Sequence, residues 1–168
     1  GISGIGNSAI SIGGSLGTLN IDKGVVTSDS TDGTITFFSD QISTPTINVA
    51  AGASLTSTAA SDGIAIYSSS DVNTALTINN SGTISAFNDP SSNVIIMEDS
   101  DGGSSLTIDN DGGTISSAQY VYALKLIGSG NSATITNRNG ASFTGRIDAG
   151  DNDLTITNSA TMLGYDTV

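Results

Sequence analysis

The sequence predicts an all-β fold, a parallel β-helix (β-solenoid) with three short strands in each coil of about 20–31 residues. Three observations predict it. A pattern of strand, polar turn and strand returns along the chain, apolar and polar residues alternate in each copy, and Gly, Ser, Thr, Asn and Asp fill most other positions. A repeat of this length is typical of a stacked architecture, because one coil cannot bury its inner face alone.

The clearest copy of the repeat occupies residues 76–85, a strand, a turn at Gly82 and a second strand. Leu76 and Ile78 alternate with polar residues at the period of a half-buried strand. We therefore expect these apolar side chains to face the core and the threonines between them to face water. Further copies occupy residues 106–116, 133–143 and 154–162.

One apolar residue anchors each copy, about five positions before the turn. The anchors in chain order are Leu19, Ile47, Ile78, Ile108, Ile135 and Ile156. Their spacings are 28, 31, 30, 27 and 21 residues, a drift that insertions at turns produce when a stacked core is kept. We expect the anchors to stack about 4.8 Å apart in an apolar ladder inside the coil.

A third apolar alternation lies between successive anchors, so that each coil contains three strands. Ile35 lies 16 residues after Leu19, and Ile64 lies 17 residues after Ile47. The segments are residues 34–38, 64–67, 94–97, 120–127 and 145–148. The Gly- and Ser-rich start, residues 2–17, has one strand candidate at 9–12, and we interpret it as part of a preceding coil.

Other fold classes fit the sequence less well. No stretch has the sustained i, i+3, i+4, i+7 spacing of an amphipathic helix, and glycine interrupts the chain at short intervals. A β-sandwich would show regularly spaced strands, but not the same turn chemistry returning in each unit.

Composition and charge exclude several functions. The 168 residues include 16 acidic and 4 basic side chains, a formal net charge of −12. There is no basic stripe for nucleic acid, and an anionic membrane surface would repel the chain. Without His or Cys, imidazole–serine triads, thiol catalysis and ordinary zinc sites are excluded. No apolar run approaches the roughly 20 residues of a spanning helix, so we expect no membrane insertion by this segment.

Carboxylates remain as candidates for chemistry. Three i, i+2 pairs stand out: Asp99 and Asp101, Asp109 and Asp111, and Asp151 and Asp153. Paired acids can hydrolyse polysaccharides, but each pair adjoins Gly or Asn, and turn capping explains them better. The hard oxygen ligands of Asp99, Asp101, Asp109 and Asp111 also make these four residues calcium candidates. Neither turn fits an EF-hand loop or a calcium-binding nonapeptide, and we expect structural turns.

Threonine pairs raise the alternative of ice binding. Three pairs are expected on outward faces: Thr34 and Thr36, Thr134 and Thr136, and Thr155 and Thr157. Such an array is similar to the ice-binding faces of some β-solenoids. Because Leu76 and Leu106 replace one threonine in their coils, the sequence predicts a broken array and favours β-propensity on a solvated face.

Two tyrosines share the face of one predicted strand. Tyr120 and Tyr122 could stack on a sugar or cover the edge of the core. We expect packing at the core or its rim.

The repeats resemble the passenger repeats of bacterial autotransporter adhesins. Residues 47–55, 76–84 and 106–115 carry the likeness, which covers most of residues 19–165. That family consists of secreted, cysteine-poor, right-handed β-helices on Gram-negative cell surfaces. The resemblance implies a right-handed coil and an extracellular location. Because the family's signal peptide is missing, we expect an excised passenger segment or a likeness of the repeat alone.

We therefore predict a single right-handed β-solenoid over residues 1–168, either a segment of a longer protein or a polymerising subunit. Its predicted role is structural or adhesive and non-catalytic, as a cell-surface stalk, adhesin passenger or filament subunit without a cofactor, calcium being the possible exception. Expected partners are a host or neighbouring cell surface, a polysaccharide, or further copies stacked end to end, since neither end shows a cap. The alternatives are a β-helix enzyme acting on polysaccharide and a calcium-stabilised or ice-binding solenoid.

Overall fold

The fold is known from a computed structural model that describes residues 1–38, 44–69, 74–86, 91–118 and 121–164. These residues form strands and turns and contain no helix, which confirms the all-β prediction. Tyr120, one of the two tyrosines singled out in the sequence, lies outside the described residues. In chain order the strands are β1 (Ile2–Gly4), β2 (Ile10–Ile12), β3 (Thr18–Ile21), β4 (Gly24–Ser28), β5 (Ile35–Phe38), β6 (Thr46–Val49), β7 (Ala53–Ser57), β8 (Ile64–Ser69), β9 (Ala75–Asn80), β10 (Thr83–Ala86), β11 (Asn93–Asp99), β12 (Ser105–Asp111), β13 (Thr114–Ser117), β14 (Tyr122–Arg138), β15 (Ser142–Thr144), β16 (Arg146–Asp148), β17 (Asp151–Asn158) and β18 (Thr161–Leu163).

The strands stack in parallel on three faces, each strand pairing with its equivalent one coil away. Face A contains β1, β4, β7, β10, β13, β15 and β18. Face B contains β2, β5, β8, β11, the first half of β14 and β16. Face C contains β3, β6, β9, β12, the second half of β14 and β17. The chain is therefore a parallel β-solenoid with three strand segments per coil, as the sequence predicts.

The anchors occupy one column of face C. Leu19 pairs with Ile47, and the pairing continues residue by residue through Ile78, Ile108 and Ile135 to Ile156. The four middle anchors are completely buried. Face A adds the inward column Val26, Leu55, Ile84, Ile115 and Phe143, and face B adds Ile35, Ile66, Ile95 and Leu124. Each fully buried side chain of this size contributes about 1.5–3 kcal/mol, so these columns form the core of the fold.

The last coil departs from the predicted ladder. The sequence places Ile156 inside, whereas 41% of this residue is exposed. Ile135 covers it from one side, and no coil of the described chain covers the other. A stacked core needs a neighbour on both sides of each rung, and Ile156 lacks one of them.

The start of the chain forms a coil, as the sequence predicts. The strand candidate at residues 9–12 is β2, which pairs with β5 on face B. The sequence did not indicate β1, which pairs with β4 on face A through Ile2 and Val26. Because β1 contains one apolar residue among Gly and Ser, it shows no alternation of apolar and polar residues.

Candidate functional site

Face C carries an unbroken outward column of threonines. Its members pair in order from coil to coil: Thr18, Thr46, Thr77, Thr107, Thr134 and Thr155. Four of them are exposed and two are half-buried. Because the strands are parallel and in register, hydroxyl and methyl groups repeat along this column at the strand spacing of about 4.8 Å.

A second outward column runs beside the threonines, two residues further along each strand. Its members are Asn20, Asn48, Asn79, Asp109, Thr136 and Thr157. Asn48 Nδ2 donates to Asn20 Oδ1 at 2.7 Å, and Asn79 Nδ2 donates to Asn48 Oδ1 at 2.8 Å. These amides form the outer asparagine ladder, and the two columns together are called the threonine face below.

The array of threonine pairs is broken, but not where the sequence predicted. Only the last two members of the second column are threonines, whereas the threonine column is continuous. Leu76 and Leu106 do not interrupt it, because both point inward and are almost completely buried. Thr77 and Thr107 fill the column instead. The sequence comparison was one residue out of phase, and a shift of one residue moves a side chain to the other face of a strand.

Two of the predicted outward threonines are buried. Thr34 and Thr36 lie at the start of face B and have no exposed surface. Thr34 Oγ1 donates to the backbone oxygen of Thr56 at 3.1 Å, and Thr36 Oγ1 lies 2.7 Å from Ser8 Oγ. Hydrogen bonds across coils account for these two hydroxyls, which are not part of an outward array.

A further asparagine ladder lies inside the coil. Asn80 Nδ2 donates to Asn110 Oδ1, and Asn110 Nδ2 donates to Asn137 Oδ1, both at 2.8 Å. Asn137 Nδ2 continues the series to Asn158 Oδ1 at 2.8 Å. Asn80, Asn110 and Asn137 are fully buried, and their Nδ2 atoms also donate to the backbone oxygens of Thr114, Ser142 and Thr161, respectively. Buried amides satisfied in this way fix the coil-to-coil register of the turn between faces C and A.

This inner asparagine ladder was not predicted from the sequence, although its signal is present. An asparagine stands two residues after each anchor from Ile78 onward. The alternation predicts an inward side chain at that position, since i and i+2 share a strand face. In the preceding coils the same position holds Ile21 and Val49, which pair with each other.

The calcium candidate Asp99 is a buried turn cap. Its Oδ1 accepts hydrogen bonds from the backbone N–H groups of Asp101 and Gly102, at 3.0 and 3.1 Å. Its Oδ2 accepts one from Ser104 Oγ at 2.6 Å. The capping role predicted for Asp99 is confirmed. Asp101 is exposed at the same turn.

The candidates Asp109 and Asp111 lie within β12 and share one guanidinium group. Arg138 donates to Asp109 through Nε at 3.0 Å and through Nη2 at 2.8 Å. The same Nη2 atom lies 3.1 Å from Asp111 Oδ2. These hydrogen bonds to Arg138 hold the pKa of Asp109 below its usual value. The sequence predicted a capped turn here, but the pairing with β14 keeps both residues in a strand.

The structure therefore places the four calcium candidates in two different surroundings. Among the described residues, no group of three His, Cys, Asp or Glu side chains converges as a metal site would require. Calcium binding by Asp99, Asp101, Asp109 and Asp111 stays a prediction. The third acidic pair, Asp151 and Asp153, is exposed on β17.

Tyrosines are engaged on face B. The Arg146 guanidinium lies 4.8 Å from the ring centre of Tyr122, and Lys125 Nζ lies 5.5 Å from it, within cation–π range. Two coils away, on β8, Tyr67 donates its hydroxyl to Glu98 Oε2 at 2.6 Å. Burial, and then this hydrogen bond, raise the pKa of Tyr67 above its usual value. The ring of Tyr122 therefore packs against these two side chains at the rim of the core and is not free to stack on a sugar.

Comparison with protein families, with characterised proteins and with solved structures finds no match for this chain. No helix in the described part of the chain is long and apolar enough to cross a membrane.

Proposed function

We propose that this chain is a non-catalytic structural and adhesive segment of a bacterial surface protein similar to autotransporter-adhesin passengers. In this proposal the solenoid acts outside the cell as a stiff spacer, and the threonine face contacts its partner. The partner class is a polysaccharide or a glycan-coated cell surface. The mechanism is geometric: identical groups repeat at each coil, and binding strength grows with the number of coils engaged.

The unbroken threonine column is the observation that supports this proposal. Its hydroxyls can donate and accept hydrogen bonds, as can the amides of the outer asparagine ladder, and sugar hydroxyls require both. The column itself contains no charged side chain. A neutral, hydrogen-bonding partner therefore suits it better than a polyanion, which the formal charge of −12 would repel.

The absence of catalysis is also part of the proposal. Asp99, the most buried carboxylate among the described residues, is occupied in capping its own turn. The carboxylate of Asp109 is occupied by Arg138. A glycosidase needs one carboxylic acid free to protonate a leaving group and a second aimed at the sugar from a few ångströms away. The engagement of these two side chains supports a role without such chemistry.

Binding to purified polysaccharides and to cells tests the proposal. The variant Thr107→Arg places a bulky charge in the middle of the threonine face, and Thr83→Arg places the same charge on face A as a control. We expect Thr107→Arg to reduce binding by about tenfold or more, equivalent to at least 1.4 kcal/mol, while Thr83→Arg binds as the wild type. Equal binding by both variants would contradict the assignment of the face.

A second candidate function, binding to ice, is favoured by the same column. Threonine methyl and hydroxyl groups in a regular column can order water molecules on the surface, and Leu76 and Leu106 do not interrupt the threonine column. Thermal hysteresis and ice recrystallisation assays distinguish the two candidates. Activity that Thr107→Arg abolishes would favour ice, whereas polysaccharide binding without any effect on ice growth would favour adhesion.

A further inference from the structure

The turn between β14 and β15 contains the one Asn-Gly dipeptide of the sequence, Asn139–Gly140. Both residues have positive φ, 56° and 78°. The N–H of Ala141 donates to the oxygen of Arg138 at 3.1 Å, closing the turn. Positive φ at both central residues is the geometry of a type I′ turn, which Asn-Gly favours. Asn139 and Gly140 are exposed at the tip of this turn.

We propose that Asn139 is a spontaneous deamidation site of the folded protein. The backbone nitrogen of Gly140 attacks Cγ of Asn139, forming an N–C bond and releasing the side-chain nitrogen as ammonia. Water then opens the five-membered imide at either carbonyl, giving aspartate or isoaspartate. Gly140 favours the attack because it has no side chain to shield its nitrogen. The space beside it is also open, since a Cβ added there would meet no atom within 4 Å.

Burial and hydrogen bonding protect the amides of the inner asparagine ladder. Asn80, Asn110 and Asn137 are buried and donate from Nδ2 to an asparagine oxygen and to a backbone oxygen. Reaction at these sites requires the ladder to open first. The residue after each of them carries a side chain, so the attacking nitrogen is also more shielded than that of Gly140.

Asp111 restrains the reactive amide. Asn139 Nδ2 donates to Asp111 Oδ1 at 2.5 Å, which holds the side chain across the coil rather than over Gly140. Deamidation replaces this donor with a carboxylate facing another carboxylate. Isoaspartate also lengthens the backbone by one atom at the corner that leads from face C to face A. We therefore expect modification to loosen this corner.

The experiment is peptide mapping by mass spectrometry after incubation of the folded protein in mildly alkaline buffer. We expect Asn139 to deamidate at least about tenfold faster than Asn80 or Asn158, a difference equivalent to about 1.4 kcal/mol. Asn80 and Asn158 are a matched pair, since serine follows both and one is buried while the other is exposed. The variant Asn139→Gln should lose the fast reaction.

One outcome would overturn the proposal. If Asn139 remains intact in the folded protein while the denatured chain is fully converted, the turn geometry protects it. The restraint is tested by Asp111→Ser, which leaves the hydrogen bonds between Arg138 and Asp109 available and should increase the rate. A lower rate in Asp111→Ser would contradict the restraining role.

Discussion

At the scale of single residues, glycine is required where successive coils approach most closely. Gly128 has φ +97°, and a Cβ there would overlap the backbone oxygen of Asp99 one coil away. Gly140 has φ +78° but open space around it. We expect Gly140→Ala to cost about 1–2 kcal/mol from its φ alone, and Gly128→Ala to cost at least about 2 kcal/mol more. Urea unfolding of both variants measures the difference, and similar costs would show that the backbone of Asp99 can move aside.

The ion pair between Asp109 and Arg138 gives a second prediction, in pH dependence. Because the folded-state pKa of Asp109 is lowered, its contribution to stability is present above the ordinary carboxyl pKa and is lost as the pH falls through the lowered value. The effect is small, since the pair is partly exposed to solvent. Arg138→Met should be less stable than the wild type at neutral pH and equally stable in strong acid.

Lys23→Met removes the same charge from the first coil and serves as the control. A stability difference that persists in strong acid would contradict this origin.

At the scale of elements, the inner asparagine ladder is expected to stabilise the stack more than the outer one. Asn110→Ala leaves Nδ2 of Asn80 without its Asn110 acceptor and Oδ1 of Asn137 without its Asn110 donor, both in the buried interior. Each unsatisfied buried group costs about 1–3 kcal/mol. Asn48→Ala removes two comparable hydrogen bonds from the outer ladder, where water replaces them. Thermal unfolding of the two variants compares them, and equal losses would mean that water reaches the inner ladder.

The elements also show what a sequence can reveal about a solenoid. Aligning the anchors predicted the pairing of face C correctly from Leu19 to Ile156, because one apolar position per coil survives every insertion at the turns. The direction in which each side chain points, and whether it is buried, were less predictable. Thr36 is buried by groups from neighbouring coils, and Leu76, which was counted as a break in the outward threonines, belongs to the inward face. Alternation locates strands, whereas contacts between coils decide which hydroxyls reach solvent.

At the scale of the whole molecule, calcium is not expected to govern stability. A metal at Asp99 would have to replace three hydrogen bonds that the carboxylate already accepts, and a metal at Asp109 would have to displace Arg138. A ligand that binds only the folded state raises its stability in proportion to RT ln(1 + [L]/Kd). We therefore expect the same unfolding temperature in calcium and in chelator. A rise in calcium that Asp101→Asn abolishes would show that the exposed turn is a site.

The ends of the described stack lead to the final prediction, end-to-end association. Ile2 and Val25 at the first coil, and Ile156 and Leu163 at the last, each expose about half of their surface. A cavity of about 190 Å³ also opens at the first coil, where Leu19 and other core residues line it together with Asp22 and Lys23. Unpaired strand edges beside exposed apolar groups favour pairing with another chain.

We therefore expect the mass measured by light scattering to rise with protein concentration. Ile156→Glu should suppress the rise, because it places a charge on the open rung. Thr107→Glu adds the same charge to the side of the stack and should leave association unchanged. A monomer at every concentration would contradict association through the ends, and suppression by Thr107→Glu alone would instead locate the contact on the threonine face.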